Sequence, residues 1–281
     1  MRIIEAINKA SSILKDSLSP RLDSEVILGY CLKKDRLYIF TNPDAVLTPE
    51  EESYFLKLIE RRAQGEPVQY ITGLQEFMGL SFSVKKGVLI PRPDTEILVE
   101  SVLDKIKNIK EPLIADIGCG SGAIAVSLAA YKKDAFVYAA DIMDVPLEMT
   151  ELNSKKNNVD LRVKVIKSDM LKGLPQMLKG KLDVIVSNPP YIKESVIPDL
   201  MKEVRDYEPY SALSGGEDGL YFYGEIIKAS PEFLKSDGII AFEIGYDQAE
   251  DVEELLKEGG FHDIECIKDL AGRDRVVMGR L

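Results

Sequence analysis

The chain is expected to fold as an α/β protein. A doubly wound, mainly parallel seven-stranded sheet ends in an antiparallel strand and is preceded by a small all-helical domain and a β-hairpin connector. Three observations carry this expectation. From Pro93 onward short apolar runs alternate with stretches of helical length and period, whereas the region before residue 75 shows helical period alone. The last two apolar runs are separated only by KDLAGRD, too short for a crossover helix, so the final strand must run antiparallel to its neighbour.

The elements follow in order. Ile3, Ile7, Ala10 and Leu14 recur at steps of three and four, which makes one apolar helical stripe. Ser19-Pro20 and Thr48-Pro49 each set a capping hydroxyl before an N1 proline, and Glu51 completes a capping box with Thr48. Four or five helices are expected, ending near Gly65, in a domain spanning residues 1–74. Residues 75–92 form the connector. There QEFMGLSFSVKKGVLIP alternates apolar and polar residues around Gly79 and Lys85-Lys86-Gly87. Residues 93–281 form the sheet domain, with strands expected at 113–117, 135–140, 161–166, 182–187, 238–244, 261–267 and 275–279 and helices at 123–130, 146–157 and 247–258.

Composition excludes several classes. With 281 residues, 45% hydrophobic and 30% charged, the chain is an ordinary folded protein. Three distant cysteines, Cys31, Cys119 and Cys266, make neither a disulfide framework nor a zinc cluster, and His262 is the one imidazole. No metal site is expected, and His262 reads as a surface residue at a strand edge. The opening MRIIEAINKASSIL lacks the apolar core of a signal peptide, and the most apolar stretch, 113–131, is interrupted by Asp116 and the glycines after it. A cytoplasmic, monomeric protein without membrane contact is expected. Net charge is −11, and residues 191–281 carry 10 Lys/Arg against 21 Asp/Glu. Such an acidic chain is a poor general partner for a polyanion. Residues 155–181 are the one lysine-rich stretch and read as a solvated face.

Two constellations carry chemistry. Leu-Ile-Ala-Asp-Ile leads into Gly118-Cys119-Gly120-Ser121-Gly122 and a helix, a turn in which backbone approaches a ligand and helix N–H groups point at it. Asp141 ends the next strand, where a carboxylate can accept both ribose hydroxyls of a nucleoside; its competing role is to cap the following helix. Asp169 and Met170 follow the third strand, where an adenine edge and face would lie, or else serve the loop alone. The second constellation is Asn188-Pro189-Pro190-Tyr191 at the end of the fourth strand. The two prolines fix φ and donate no N–H, so the Pro189 carbonyl is a rigid acceptor. Asn188 adds a second acceptor and Tyr191 a flat ring, a set suited to holding a planar NH2 group.

These residues, with the antiparallel last strand, resemble class I S-adenosylmethionine-dependent methyltransferases acting on exocyclic or amide nitrogen. GEPVQYITGLQEFMGLSFSV, GVLIPRPDTE, DIGCGSGAIA, SNPPYI, EVRDYEP with SALSGGEDGL, and DLAGRDRVV together look like the release factor glutamine methyltransferase (HemK/PrmC) family. The match runs from about residue 20 to the end, and the first 60 residues are less distinctive. The resemblance implies a Rossmann-like catalytic domain and an N-terminal domain that docks peptide chain release factors, whose Gly-Gly-Gln glutamine receives the methyl group. The cofactor is then S-adenosylmethionine, with S-adenosylhomocysteine as product. The resemblance assigns Gly118, Cys119, Gly120, Ser121, Gly122, Asp141, Asp169, Met170 and Asn188 to that cofactor. Asn188, Pro189, Pro190 and Tyr191 go to the glutamine, and Asn188, Pro189 and Tyr191 are the catalytic set. Two departures stand out: Cys119 replaces the threonine of many members, and Met170 stands where some have an aromatic. Methyl transfer is expected to come before or with proton loss, in a site closed by residues 192–219. Three alternatives share parts of this pattern. A nucleic-acid amino-group methyltransferase is disfavoured by the charge, a NAD-dependent oxidoreductase has no use for NPPY, and a binding module without catalysis would bind the cofactor alone.

Overall fold

The structure is a computed structural model that describes residues 1–281. Its helices are α1 (Ile3–Ile13), α2 (Pro20–Leu32), α3 (Arg36–Thr41), α4 (Pro49–Ala63), α5 (Val68–Thr72), α6 (Asp94–Ile106), α7 (Ala123–Tyr131), α8 (Asp144–Lys156), α9 (Lys202–Arg205), α10 (Tyr221–Ala229) and α11 (Ala249–Glu258). Its strands are β1 (Leu74–Phe77), β2 (Leu80–Ser83), β3 (Leu113–Ile117), β4 (Phe136–Asp141), β5 (Val163–Lys167), β6 (Leu182–Ser187), β7 (Leu234–Glu243), β8 (His262–Lys268) and β9 (Asp274–Arg280). The chain divides into two compact units: residues 1–74 with 201–207, and residues 75–200 with 208–281.

In the first unit the apolar stripe of α1 is buried to the last member, Leu14, and packs with Ile27 and Leu28 of α2 and Phe55, Leu58 and Ile59 of α4. Thr48 and Glu51 form the reciprocal capping box at the start of α4. Ser19 does not cap α2: its backbone is not extended (ψ 62°), and its hydroxyl reaches none of the first amides. The helical region also runs past Gly65, because Pro67 opens the short α5. The segment 201–207 has no signal in sequence that joins it to these helices. It is held through Arg62, whose side chain is 11% exposed and donates to Asp23 (2.7 Å), Glu203 (2.8 Å), Ser17 and the carbonyl of Glu66.

In the second unit β1 and β2 meet at Met78-Gly79, both at positive φ (51° and 66°), as a two-residue type I′ hairpin requires. Met78 tolerates the left-handed region because its N–H is held by Glu96 at 2.6 Å and its carbonyl by the Tyr131 hydroxyl. Lys85-Lys86-Gly87 makes no second hairpin; β2 ends at Ser83, whose N–H and C=O both bond the side chain of Asn153. The seven-stranded sheet has the order β5-β4-β3-β6-β7-β9-β8. Strands β3 to β7 are parallel, and β9 lies between β7 and β8, antiparallel to both. Alternate residues separate its faces: Ile114, Val184 and Ala241 pack under α6 and α7, while Ala115, Ile185 and Phe242 pack under α10 and α11.

Some boundaries shift. Helix α8 starts at Asp144 and α11 at Ala249, and β7 starts at Leu234, with a register irregularity opposite Leu182. Leu161 and Arg162 precede β5. Leu161 is exposed, and the Arg162 guanidinium is bonded to the carbonyls of Ala129 and Lys132 while its own carbonyl accepts from the Val137 N–H of β4. His262 begins the edge strand β8 with an exposed side chain. No helix is long and apolar enough to cross a membrane.

Arg62→Met strips the cation from a nearly buried Asp23, so the first unit is expected to lose on the order of 3 kcal/mol of stability in urea unfolding. Glu203→Gln should cost much less, since Glu203 is about one-third exposed and the Asp23 pair survives.

Candidate active site

Adjacency of β3 and β6 creates the cleft. The chain winds outward from β3 through β4 to β5 and then returns to β6 on the other flank, so β3/β6 is the switch point at which the loops following the strands part. The register pairs Ala115 with Ile185 and Asp116 with Val186, and Ser187 Oγ donates to the Ile117 carbonyl at 2.6 Å. Gly118 and Asn188 therefore emerge side by side. A mostly apolar cleft of about 290 Å³ opens there, lined by Gly118, Gly120, Asp141, Met170, Asn188 and Pro189 among others.

The glycine loop is shaped by its backbone. Gly118, Gly120 and Gly122 all have positive φ (75°, 54° and 80°). A Cβ on Gly122 would meet Thr150 at 3.0 Å, so this glycine is needed for helix packing. On Gly118 or Gly120 it would meet nothing within 4 Å, so the bare backbone there faces open space into which a ligand fits. Asp116, buried in β3, accepts from the Ala125 N–H at 3.1 Å and so satisfies the first turn of α7 from within the strand. Its other oxygen has no partner, and burial, with some help from Asp141, pushes its carboxyl up to about 7.

Asp141 lines the cleft with both oxygens anchored. One accepts from Gly120 N–H (3.1 Å) and the other from Met143 N–H (3.0 Å), the residue before α8. Neither bond reaches an amide of α8, so Asp141 does not cap that helix, and each oxygen keeps a lone pair for a ligand hydroxyl. Burial raises its carboxyl and the backbone donors partly counter this. Cys119 offers less. Its N–H bonds the Ala140 carbonyl, and its thiol, buried and pushed well above its ordinary value, accepts from Thr150. Ser121 also lines the cleft, and its carbonyl accepts from Asn153. Asp169 and Met170 border the cleft too; Met170 has φ 49°, and Asp169 pairs with exposed Lys172.

The NPPY residues divide. Asn188, Pro189 and Pro190 line the cleft, but Tyr191 does not. Asn188 Nδ2 donates to Thr95 Oγ1 at 3.2 Å, so its Oδ1 remains available, and no protein donor bonds the Pro189 carbonyl. The Tyr191 hydroxyl donates to Glu243 at 3.4 Å. A Cβ on Gly215 or Gly219 would come within 2.7 Å and 2.5 Å of the Tyr191 backbone, which explains these two glycines of SGGEDG: they clamp this turn. Of the segment expected to close the site, Pro209, Ser211 and Ala212 reach the cleft.

Reading by motif missed Thr95, Asn153 and Glu243. Asn153 is fully buried and ties the β2 strand to Ser121 of the glycine loop. Thr95 lies in the quoted PRPDTE stretch, yet its partner Asn188 is 93 residues away, a separation with no local signal.

Among solved structures the fold resembles the hMettl16 catalytic domain in complex with MAT2A 3′UTR hairpin 6. The TM-score is 0.60 at 19% identity, over 75% of this chain and 79% of that one. It also resembles a methyltransferase from Pyrococcus furiosus, with TM-score 0.54 at 19% identity, over 72% and 89%. The sheet order and switch-point cleft are those of a Rossmann-like methyltransferase, and the chain is an enzyme of that class. Residues 5–73 match the PrmC N-terminal domain and residues 93–204 the methyltransferase small domain. The release factor glutamine methyltransferase of Clostridium botulinum is 51% identical over 93% of this chain and 92% of its own length. That of Bacillus cereus is 39% identical over the full length of both. The chain belongs to the release factor glutamine methyltransferase family.

The raised Asp116 carboxyl has a stability consequence. A carboxyl whose folded pKa lies above its unfolded value, about 3.9, destabilises the fold progressively as pH rises from the lower value to the higher. Asp116→Asn is therefore expected to raise the urea midpoint at pH 8 and to have little effect near pH 4. An equal effect at both values would show that the carboxyl is not buried in ionised form.

Proposed function

We propose that the protein transfers the methyl group of S-adenosylmethionine to the side-chain amide nitrogen of the Gly-Gly-Gln glutamine in peptide chain release factors. The carrying observation is the pair of unclaimed acceptors, Asn188 Oδ1 and the Pro189 carbonyl, at the mouth of a cleft floored by bare glycine backbone. Family membership supports this choice of substrate, and the net charge of −11 suits a protein substrate better than a polyanion.

The residues fit the cofactor. Gly118 and Gly120 leave open space, Asp141 presents two anchored carboxylate oxygens to a ribose, and Met170, Ile142 and Met143 supply apolar surface for an adenine. When bound, S-adenosylmethionine supplies an electrophilic methyl on a sulfonium. Asn188 and Pro189 accept the two N–H bonds of the glutamine amide, which orients its nitrogen and raises electron density there; as that nitrogen takes the methyl group, S-adenosylhomocysteine is left and the surplus N–H proton passes to water or the Asn188 carbonyl. An amide nitrogen is otherwise a poor nucleophile, so positioning and fixed dipoles carry the rate. Tyr191 contributes through the buried face of the turn rather than as a stacking surface. In the helical unit Leu37 and Phe40 stand one turn apart on α3, 68% and 78% exposed, and form the docking surface for the whole factor.

The test is intact mass of a release factor after incubation with enzyme and S-adenosylmethionine, followed by fragmentation to locate the methyl group. A gain on any residue other than that glutamine would overturn the reading. Asn188→Ala should lower single-turnover methylation by at least about 10²-fold, as loss of a preorganised polar group does elsewhere. Replacing Leu37 and Phe40 together by Glu should slow methylation of the whole factor while leaving a short Gly-Gly-Gln peptide unaffected. Equal slowing of both would remove the docking role.

A further inference from the structure

Methyl transfer as described leaves buried polar groups behind the NPPY turn without a task. Thr95 is 4% exposed, Glu243 2% and Arg275 8%. They come from three elements: the head of α6, the end of β7 and the start of β9, where the antiparallel register pairs Glu243 with Val276 and so sets Arg275 alongside. Thr95 Oγ1 accepts from Asn188 Nδ2, and its hydroxyl interacts with the Glu243 carboxylate, lowering that group's proton affinity. Glu243 Oε1 accepts from Tyr191, while Oε2 has no complete hydrogen bond and is buried.

We propose that Thr95 and Glu243 are positioning residues for the methyl transfer: they set the polarity of the Asn188 amide so that its carbonyl oxygen, not its NH2, faces the substrate. An ionised carboxylate can only accept. The single Thr95 proton is therefore directed at Glu243, and its oxygen can only accept from Asn188. The flipped amide would require a donor from Thr95 that is already committed, and it would set NH2 against the substrate NH2. Both faces of Asn188 are thus decided by a charge behind it. The inference rests on the acceptor role given to Asn188 above.

The arrangement is sensitive to pH. Burial pushes Glu243 up to about 7; Asp94 on α6 adds to this, while Thr95, Arg275 and Tyr191 oppose it. The other groups facing this cluster are Tyr223 of α10, which donates to the Glu243 carbonyl at 2.9 Å, and Asp269, which holds Arg275 at 3.4 Å. A protonated Glu243 becomes a donor, the Thr95 hydroxyl reverses, and Asn188 loses the partner that fixes it.

Single-turnover rates at saturating cofactor test this. Thr95→Val should slow transfer roughly 10- to 100-fold, as misplacing a reacting group does. Cofactor and substrate affinities should stay within about threefold, and Thr95→Ser should recover most of the rate. Combined with Asn188→Ala, the valine variant should lose nothing further, because it acts only through Asn188. The relay is overturned if Thr95→Val is as fast as wild type, or if it multiplies the Asn188→Ala defect. If Asn188→Ala itself is fully active, the acceptor reading falls and takes the relay with it. A slow Asn188→Ala beside a fast Thr95→Val removes the relay alone. Thr95→Ala provides the same comparison should the valine variant fail to fold. The wild-type rate should fall as pH drops through about 7, and a flat profile across that range would remove Glu243 from the relay.

Discussion

The parallel pairing of β3 with β6 is the constraint on which the rest of the site depends. Each strand delivers one half of the cleft: β3 the glycine loop and β6 the NPPY turn. Neither half is useful unless the two strands end level. The register achieves this, and the buried Ser187 bond to the Ile117 carbonyl locks the last rung where the strands diverge. All six residues of β6 are buried, with Val184 and Val186 in the core on one face and Ile185 in the core on the other, so a slip of one residue would exchange the two packed faces. Hydrophobic burial on both faces therefore enforces a registration that the chemistry requires.

Around this pair, polar groups are placed where water is excluded, and they work by fixing one another. Asp141, Asn153 and Thr150 together hold the glycine loop by its N–H and C=O groups, and Asp116 holds the first turn of the helix that follows it. Behind the NPPY turn, Gln248 bonds the carbonyls of Tyr191 and Gly219 while Glu243 receives the Tyr191 hydroxyl. Asp116 and Glu243 are both pushed up to about 7, chiefly by burial. Buried carboxyls of this kind cost stability.

The helical unit shows the same logic. Its core is an ordinary apolar stripe, but its connection to the segment 201–207 is polar, made by a nearly buried guanidinium with several acceptors and by the Tyr207 hydroxyl, which donates to the Gln64 carbonyl. Arginine suits this task because its planar fork satisfies several acceptors at once without changing charge. The chain enters this unit after Leu200 and leaves it before Glu208.

Periodicity and glycine placement by themselves determined the strand and helix alternation after Pro93 and the antiparallel last strand, and they marked the glycine loop and the NPPY turn, both of which border the cleft; α6 and α10 went unmarked. These features are local: helical and strand periods, caps such as Thr48 with Glu51, and the stiffness of Pro189-Pro190 are written within a few residues of one another. Tertiary structure alone decided where β9 enters the sheet, that the Tyr191 hydroxyl goes to Glu243, that the Cys119 thiol takes the Thr150 hydroxyl, and that Thr95 stands behind Asn188. Asn188 and Thr95 are 93 residues apart and meet only because sheet burial brings β6 beneath the head of α6. Side-chain direction at such meetings is set by the packing of both partners, and neither partner's own neighbours in the chain carry that information.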